Sequence, residues 1–312
     1  MRFMMMIKSD ARSEAGQLPE QAMLAEMGKF NEELAGAGLM LAGEGLQPSA
    51  KGARVRRKGD TFTVVDGPFA EAKELVAGFW LVRAPTLDEA VGWAKRVPCV
   101  EEGEIELRRL WEMSDFPAPE AGEPAAKGDD WREFEGRFRE QHGQGETGAA
   151  PAAPSTPPRK AGTTRFMVML KSDATSESGE PPTEAAMNQM GALMEELGAA
   201  GALLGGEGLR PSREGAKVRF SRGKRTVLDG PFSETKEMIA GYLMVQLPAL
   251  ADAIAVAKRW LAIHVETGRG LDAGEIEIRQ VFEMADLPDD TSDSGWRARE
   301  EKLRAKLEGR QA

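Results

Sequence analysis

A nine-residue segment, Asp66-Gly67-Pro68-Phe69-Ala70-Glu71-Ala72-Lys73-Glu74, returns at Asp229 to Glu237 as DGPFSETKE with seven of the nine residues unchanged. The same spacing of 163 residues relates Arg2-Phe3-Met4 to Arg165-Phe166-Met167, Lys8-Ser9-Asp10 to Lys171-Ser172-Asp173, and Gly43-Glu44-Gly45-Leu46 to Gly206-Glu207-Gly208-Leu209. A register held this long marks a tandem duplication, so each element of one copy needs a counterpart in the other. For a chain of 312 residues this divides the molecule into a first domain at 1–116, an appended helix and Pro/Gly/Ala linker at 117–163, a second domain at 164–288 and a C-terminal helix at 289–312.

Several classes are excluded early. No apolar run reaches the roughly 18 residues of a spanning helix, so no membrane partner is expected. The N-terminal MRFMMMIKSD is too short for the apolar region of a signal peptide and returns inside the chain as RFMVMLKSD, which predicts a strand. A net charge of -10 argues against nucleic acid and anionic lipid. Cys99 is the only cysteine, so no intrachain disulfide forms, and a cytoplasmic location fits.

Within a copy, residues 2–8 read as a strand and Pro19 to Ala37 as an amphipathic helix carrying Met23, Met27, Phe30 and Leu34 at three- and four-residue spacing. Pro182 to Ala200 repeats that helix. Leu39 to Gly45 is a second strand, residues 53–58 and 61–65 a hairpin, Val76 to Ala84 a further strand, and Thr86 opens a helix that ends before Pro98. Glu104 to Leu110 is the last strand. The second copy departs once, with 15 residues between Arg259 and Glu275 against 7 between Arg96 and Glu104, which predicts an extra loop over Val265 to Ala273. After each unit comes a charged helix, with Trp131, Phe134 and Phe138 on one face of the first and Trp296, Leu303 and Leu307 on the second, each expected to dock on its own domain. Gly143 to Gly162 has no periodicity and reads as a flexible linker.

The order βαβ, hairpin, βαβ predicts an α+β fold of two ferredoxin-like repeats with helices on one face of each sheet. The bare sheet faces would then cover each other, giving an intrachain pseudo-dimer.

The two DGPF segments and the two GEGL-x-PS segments, Gly43 to Ser49 and Gly206 to Ser212, resemble the YCII-related superfamily and its DGPF-domain branch over about residues 1–116 and 164–288. The resemblance implies a dimeric α+β barrel, here supplied by both halves of one chain. Some relatives in the wider superfamily carry a histidine in the first helix and resemble lactone isomerases or dehydrochlorinases; neither first helix here has one. DGPF-domain members are also associated with alternative sigma factors, which implies a regulatory protein partner.

For chemistry, Glu44 falls on a strand face with Met40, Ala42 and Leu46, and Glu207 repeats it. A carboxylate there is either a general acid or base with a raised pKa or half of a structural ion pair. Asp66 and Asp229 stand before Gly-Pro and serve either as turn or helix caps or as polar groups of a pocket. Lys73 and Lys236, with Lys8 and Lys171 at the ends of the first strands, complete the candidate pocket. His142, His264 and Cys99 have no match in the other copy, so neither metal nor cofactor is expected. Two functions remain. The favoured one is a noncatalytic small-ligand-binding or regulatory interaction module, because no nucleophile, metal set or histidine base occurs twice. The alternative is a small-molecule enzyme using paired carboxylates for proton transfer on an organic acid or lactone.

Overall fold

The computed structural model describes residues 1–98, 102–116, 131–133, 136–137, 160–233, 237–287 and 295–307. Cys99, Phe134, Phe138, His142 and most of the expected linker lie outside them, as do Lys236 and the side chains of Lys73 and Leu307.

The first repeat runs β1 (Arg2–Lys8), α1 (Ala11–Glu14), α2 (Gln21–Gly36), β2 (Met40–Gly45), β3 (Ala53–Lys58), β4 (Thr61–Asp66), β5 (Val76–Arg83), α3 (Leu87–Ala94) and β6 (Glu102–Arg109). The second runs β7 (Thr164–Lys171), α4 (Ala174–Ser178), α5 (Glu184–Ala199), β8 (Leu203–Gly208), β9 (Ala216–Ser221), β10 (Lys224–Asp229), β11 (Ile239–Leu247), α6 (Leu250–Thr267) and β12 (Ala273–Gln280), followed by α7 (Trp296–Leu307). The short helices α1 and α4 escape a periodicity search. Their signal is the repeated Lys-Ser-Asp, whose Asp10 and Asp173 cap them in reciprocal boxes with Ser13 and Ser176. Thr86 caps α3 and Thr183 caps α5 in the same way, through a side-chain oxygen and one backbone N–H.

Each repeat contributes four antiparallel strands in the order β6-β1-β5-β2 or β12-β7-β11-β8. That is the ferredoxin-like order, with the hairpin inserted between its second and third strands. The hairpins, however, do not join their own sheets. The six-stranded sheets are β10-β9-β6-β1-β5-β2 and β4-β3-β12-β7-β11-β8, so each repeat lends its hairpin to the other. Ile105 lies opposite Val218 and Ile276 opposite Val55 across these borrowed junctions.

Alternation along β1 shows how the core divides. Phe3 and Met5 point to α2 and α3, in a cluster that also takes Ala216, Val218 and Phe220 from the borrowed hairpin. Met4 and Met6 point the other way, into a cluster shared by both repeats with Met167, Met169, Met244, Leu41 and Leu204. Met suits such a seam because its unbranched side chain fills irregular gaps between two sheets.

Two expectations need correction. The additional residues after Arg259 mainly lengthen a helix rather than form a loop, since α6 continues to Thr267 whereas α3 stops at Ala94. The extension grips the borrowed hairpin: Glu266 accepts a bond from Arg57 at 2.8 Å, and the Asp272 carbonyl accepts one from the Gly59 N–H at 2.7 Å. The tails also reach the opposite repeat besides touching their own domains, where Arg297 donates to the Met284 carbonyl at 2.9 Å and the Trp131 ring lies 4.9 Å from Phe116. Leu303 of α7 lies in the core cluster of the first repeat's helices. Trp131 lies against Gly191 of α5, where a Cβ would meet it at 3.2 Å.

With hairpins and tails crossing over, the halves should stay together when the connection is cut. A protease site placed between Gly143 and Gly162 should give a cleaved protein that migrates as one species by size-exclusion chromatography, and separation into two monomeric halves would contradict the exchange.

Candidate functional site

The charged residues of the two repeats meet at three kinds of joint. The first is at the ends of β1 and β7. Arg2 donates from Nε to Glu112 at 3.3 Å, pairs through Nη1 with Glu207, and reaches the Trp111 carbonyl at 3.2 Å. Its counterpart Arg165 donates to Glu283 at 2.9 and 3.1 Å and pairs with Glu44, which also faces Arg304 of α7 at 3.4 Å. Burial alone would lower the pKa of Arg2, but Glu207 and Glu112 outweigh it and raise it, and Glu44 and Glu283 do the same for Arg165. The glycines beside each glutamate admit an aromatic ring from the other repeat, since a Cβ on Gly208 would meet Trp111 at 3.0 Å and one on Gly45 would meet Phe282 at 3.3 Å.

The second joint lies where the borrowed hairpin meets the host strand. Glu106 is fully buried, 3.0 Å from the Lys8 ammonium and 3.3 Å from Arg108. Burial would raise its pKa, yet Lys8, Arg108 and the other repeat's Lys217 together hold it below the ordinary glutamate range. Glu277 repeats the arrangement, with Lys171 at 3.3 Å, Arg279 at 3.2 Å, and Arg54 from the other repeat at 2.9 Å. Its carboxyl is likewise held low, the cations outweighing burial. Arg108 extends the network to Glu177 of α4, and Arg279 to Glu14 of α1, each at 2.9 Å.

The third joint gives the repeated DGPF segment a physical account. The Gly67 N–H bonds to the Gly52 carbonyl at 3.1 Å, and a Cβ on Gly67 would lie 1.8 Å from the Ser49 carbonyl oxygen, so only glycine fits. The Gly67–Pro68 and Gly230–Pro231 bonds are cis. The Phe69 N–H then donates to Ser49 Oγ at 3.0 Å, and its ring lies 4.2 Å from the Arg54 guanidinium. In the other copy Phe232 donates to Ser212 Oγ at 3.2 Å, with the Lys217 ammonium 4.8 Å from its ring. The phenyl face thus shields the cation that serves the second joint.

These positions separate the residues expected to share a pocket. Glu44 and Glu207 take part in the first joint, Lys8 and Lys171 in the second. A bulge between Met40 and Ala42 moves Met40 to the helix side, while Leu41, Ala42 and Leu46 share the inter-repeat seam. Asp66 and Asp229 are exposed at the ends of β4 and β10, in a different sheet from the glutamate of their own repeat. Among the described residues neither caps a helix; Glu71 holds the N-cap of the 3-10 turn at Ala72–Glu74. A separate groove of about 360 Å³ between α5 and α6, lined by Gln189, Leu193, Glu196, Arg259 and Ile263, contains none of the expected residues. His264 on the α6 extension does have a partner, with Nε2 2.8 Å from Asp173 Oδ2; burial would raise the Asp173 pKa, but His264 and the bonds from Ser176 together lower it. No group of three or more potential metal ligands occurs among the described residues.

Arg2, Arg165, Glu106, Glu277, Arg108 and Arg279 are not among the residues expected from the sequence to carry chemistry. A usable signal existed: EIELR at Glu104 to Arg108 and EIEIR at Glu275 to Arg279 place Glu and Arg on one strand face in both copies, with the apolar residues on the other.

The YCII-related domain matches residues 1–114 and 164–285, once for each repeat. The chain belongs to the YCII-related family. A relative in Rhizobium meliloti (strain 1021), uncharacterized protein R00369, is 28% identical over 114 residues, which are 36% of this chain and 89% of the relative. It is therefore similar in extent to a single repeat.

The second joint makes stability depend on acid. Because the folded Glu106 and Glu277 carboxyls titrate below the roughly 4.3 of a free glutamate, the unfolded chain takes up protons first as pH falls. Their contribution is complete above that ordinary range and is lost as pH falls through it toward the folded values. Glu277→Gln leaves Lys171, Arg54 and Arg279 without their shared counter-charge and should cost about 3–5 kcal/mol at neutral pH. Denaturant melts across a pH series should also show a flatter acid limb for the variant; an unchanged midpoint and limb would contradict the assignment.

Proposed function

We propose that this YCII-related protein belongs to the DGPF branch and acts in the cytoplasm as a noncatalytic interaction module with a protein partner in regulation. Its two sheets, on this reading, close as a dimeric α+β barrel within one chain. The barrel is supported by the pairing of Leu46 with Val281 and of Leu110 with Leu209, which carries hydrogen bonds from the end of each last strand to the second strand of the other repeat. The Gln47 N–H bonds to the Gln280 carbonyl and the Phe282 N–H to the Gly45 carbonyl there, at 2.8 and 2.9 Å.

The observation that carries the noncatalytic reading is the engagement of both repeated glutamates. Glu44 and Glu207, the best proton-transfer candidates in the sequence, are each held by an arginine of the opposite repeat, with side chains 6% and 0% exposed. A general acid or base needs a lone pair or proton that can reach substrate, and these carboxylates direct theirs at guanidinium groups. The seam beyond them is filled by Met, Leu and Phe side chains. Glu44, Glu207, Lys8 and Lys171 accordingly hold the halves in one arrangement, and Asp66 and Asp229 end the hairpins.

Native mass spectrometry with thermal melts separates this from the enzymatic alternative. Protein purified under mild conditions should carry no mass beyond whole multiples of the 33.8 kDa chain, and Glu44→Gln with Glu207→Gln should lower the melting temperature. A stoichiometric small molecule that disappears in this double variant at unchanged melting temperature would overturn the noncatalytic reading.

A further inference from the structure

The strands exchanged between the repeats leave two edges whose composition differs. Among the described residues, β4 closes one sheet and β10 the other, each with a strand on one side only. Both ladders run over six residue pairs without a register shift, and neither edge contains proline. Such an edge presents a row of free N–H and C=O groups, which natural sheets usually blunt with bulges, proline or inward charge. The apolar surface coincides with these edges. Among the described residues the exposed large hydrophobic ones are Met1, Val64, Val65 and Leu228, three of the four on β4 or β10, with Val65 40% and Leu228 37% exposed.

Charge then distinguishes the two edges, although they occupy equivalent places in the duplication. The β4 edge carries Asp60 and Asp66 and no cation from 60 to 66, while the β10 edge carries Arg222, Lys224 and Arg225, offset only by Asp229. Of the basic residues of the neighbouring β3, Arg54 and Arg56 pair with Glu277 and Glu275 of β12, and Arg57 is held at 2.8 Å by Glu266 and stands 3.8 Å from Asp60, whose carboxylate stays fully exposed. An acidic edge meeting its own copy, or a basic edge meeting its own, opposes like net charge, and only the mixed pairing is neutral.

We propose that β4 of one copy pairs with β10 of a second copy of this chain, joining molecules head to tail through Asp60 and Asp66 against Arg222, Lys224 and Arg225. Strand addition supplies the backbone hydrogen bonds, Val64, Val65 and Leu228 supply the apolar contact, and the charges select which edges meet. After pairing, one copy keeps its β10 edge and the other its β4 edge, so the contact is heterologous and extends with concentration rather than stopping at a two-fold dimer.

Sedimentation equilibrium of the full chain over a concentration series tests this. The wild-type average mass should climb above 33.8 kDa with concentration and fall back as salt is added. Val65→Lys and Leu228→Glu, both at exposed positions, should each keep the wild-type melting temperature and remain at the mass of one chain. An equimolar mixture of the two should assemble again, because each brings the intact edge that the other has lost. The proposal is overturned by a wild-type mass that stays at one chain or ignores salt, by assembly of either variant alone, or by a mixture that fails to recover. If either variant melts early, the wild-type salt series decides alone.

Discussion

The exchange of hairpins between the repeats is the constraint on which the rest of the molecule depends. Pairing β9 with β6 and β3 with β12 gives each last strand of the ferredoxin-like order a second neighbour. It also brings basic residues of one repeat beside buried acids of the other, and it fixes where the DGPF segment must turn back. A hairpin folded onto its own sheet would leave Glu277 without Arg54 and Glu106 without Lys217. The tails reinforce the exchange by crossing in the same sense, with Leu303 and Arg304 reaching the first repeat.

Burying four carboxylates and their cations is expensive in a low-dielectric interior, and a single pair seldom returns that cost. Here the return comes from clustering. Each of Glu106 and Glu277 faces three cations, enough to lower its pKa against complete burial. The phenyl rings of Phe69 and Phe232 exclude solvent from one side of the same cations. Such networks give little net stability relative to an apolar replacement, but they penalise every arrangement that separates the members.

Much of this was legible in the sequence. The 163-residue register marked the duplication, and the apolar spacing of α2 and α5 and the hairpin pattern at 53–58 and 61–65 placed those elements within one or two residues. What escaped detection was relational. Glu44 was recognisable as a carboxylate on an apolar face, but its partner Arg165 lies 121 positions away and in the other repeat. The hairpin pattern was equally plain, yet alternation is satisfied by either sheet, so the strand's own sequence does not say which it joins. Glu106 and Glu277 alternate with apolar residues as on any half-exposed strand, so nothing in the strand itself shows that both carboxylates are buried. The DGPF repeat was read as a possible cap and pocket corner; its geometry instead makes Gly67 a close-approach point and Phe69 a cover for Arg54.

The central claim is that each hairpin belongs to the opposite sheet, and methyl nuclear Overhauser contacts in protein labelled at Ile and Val test it most directly. Residues facing each other across antiparallel strands bring their methyl groups within reach of such a contact. The account predicts cross-peaks between Val55 and Ile276 and between Val218 and Ile105. Cross-peaks between Val55 and Ile105 and between Val218 and Ile276, with the first pair absent, would contradict it.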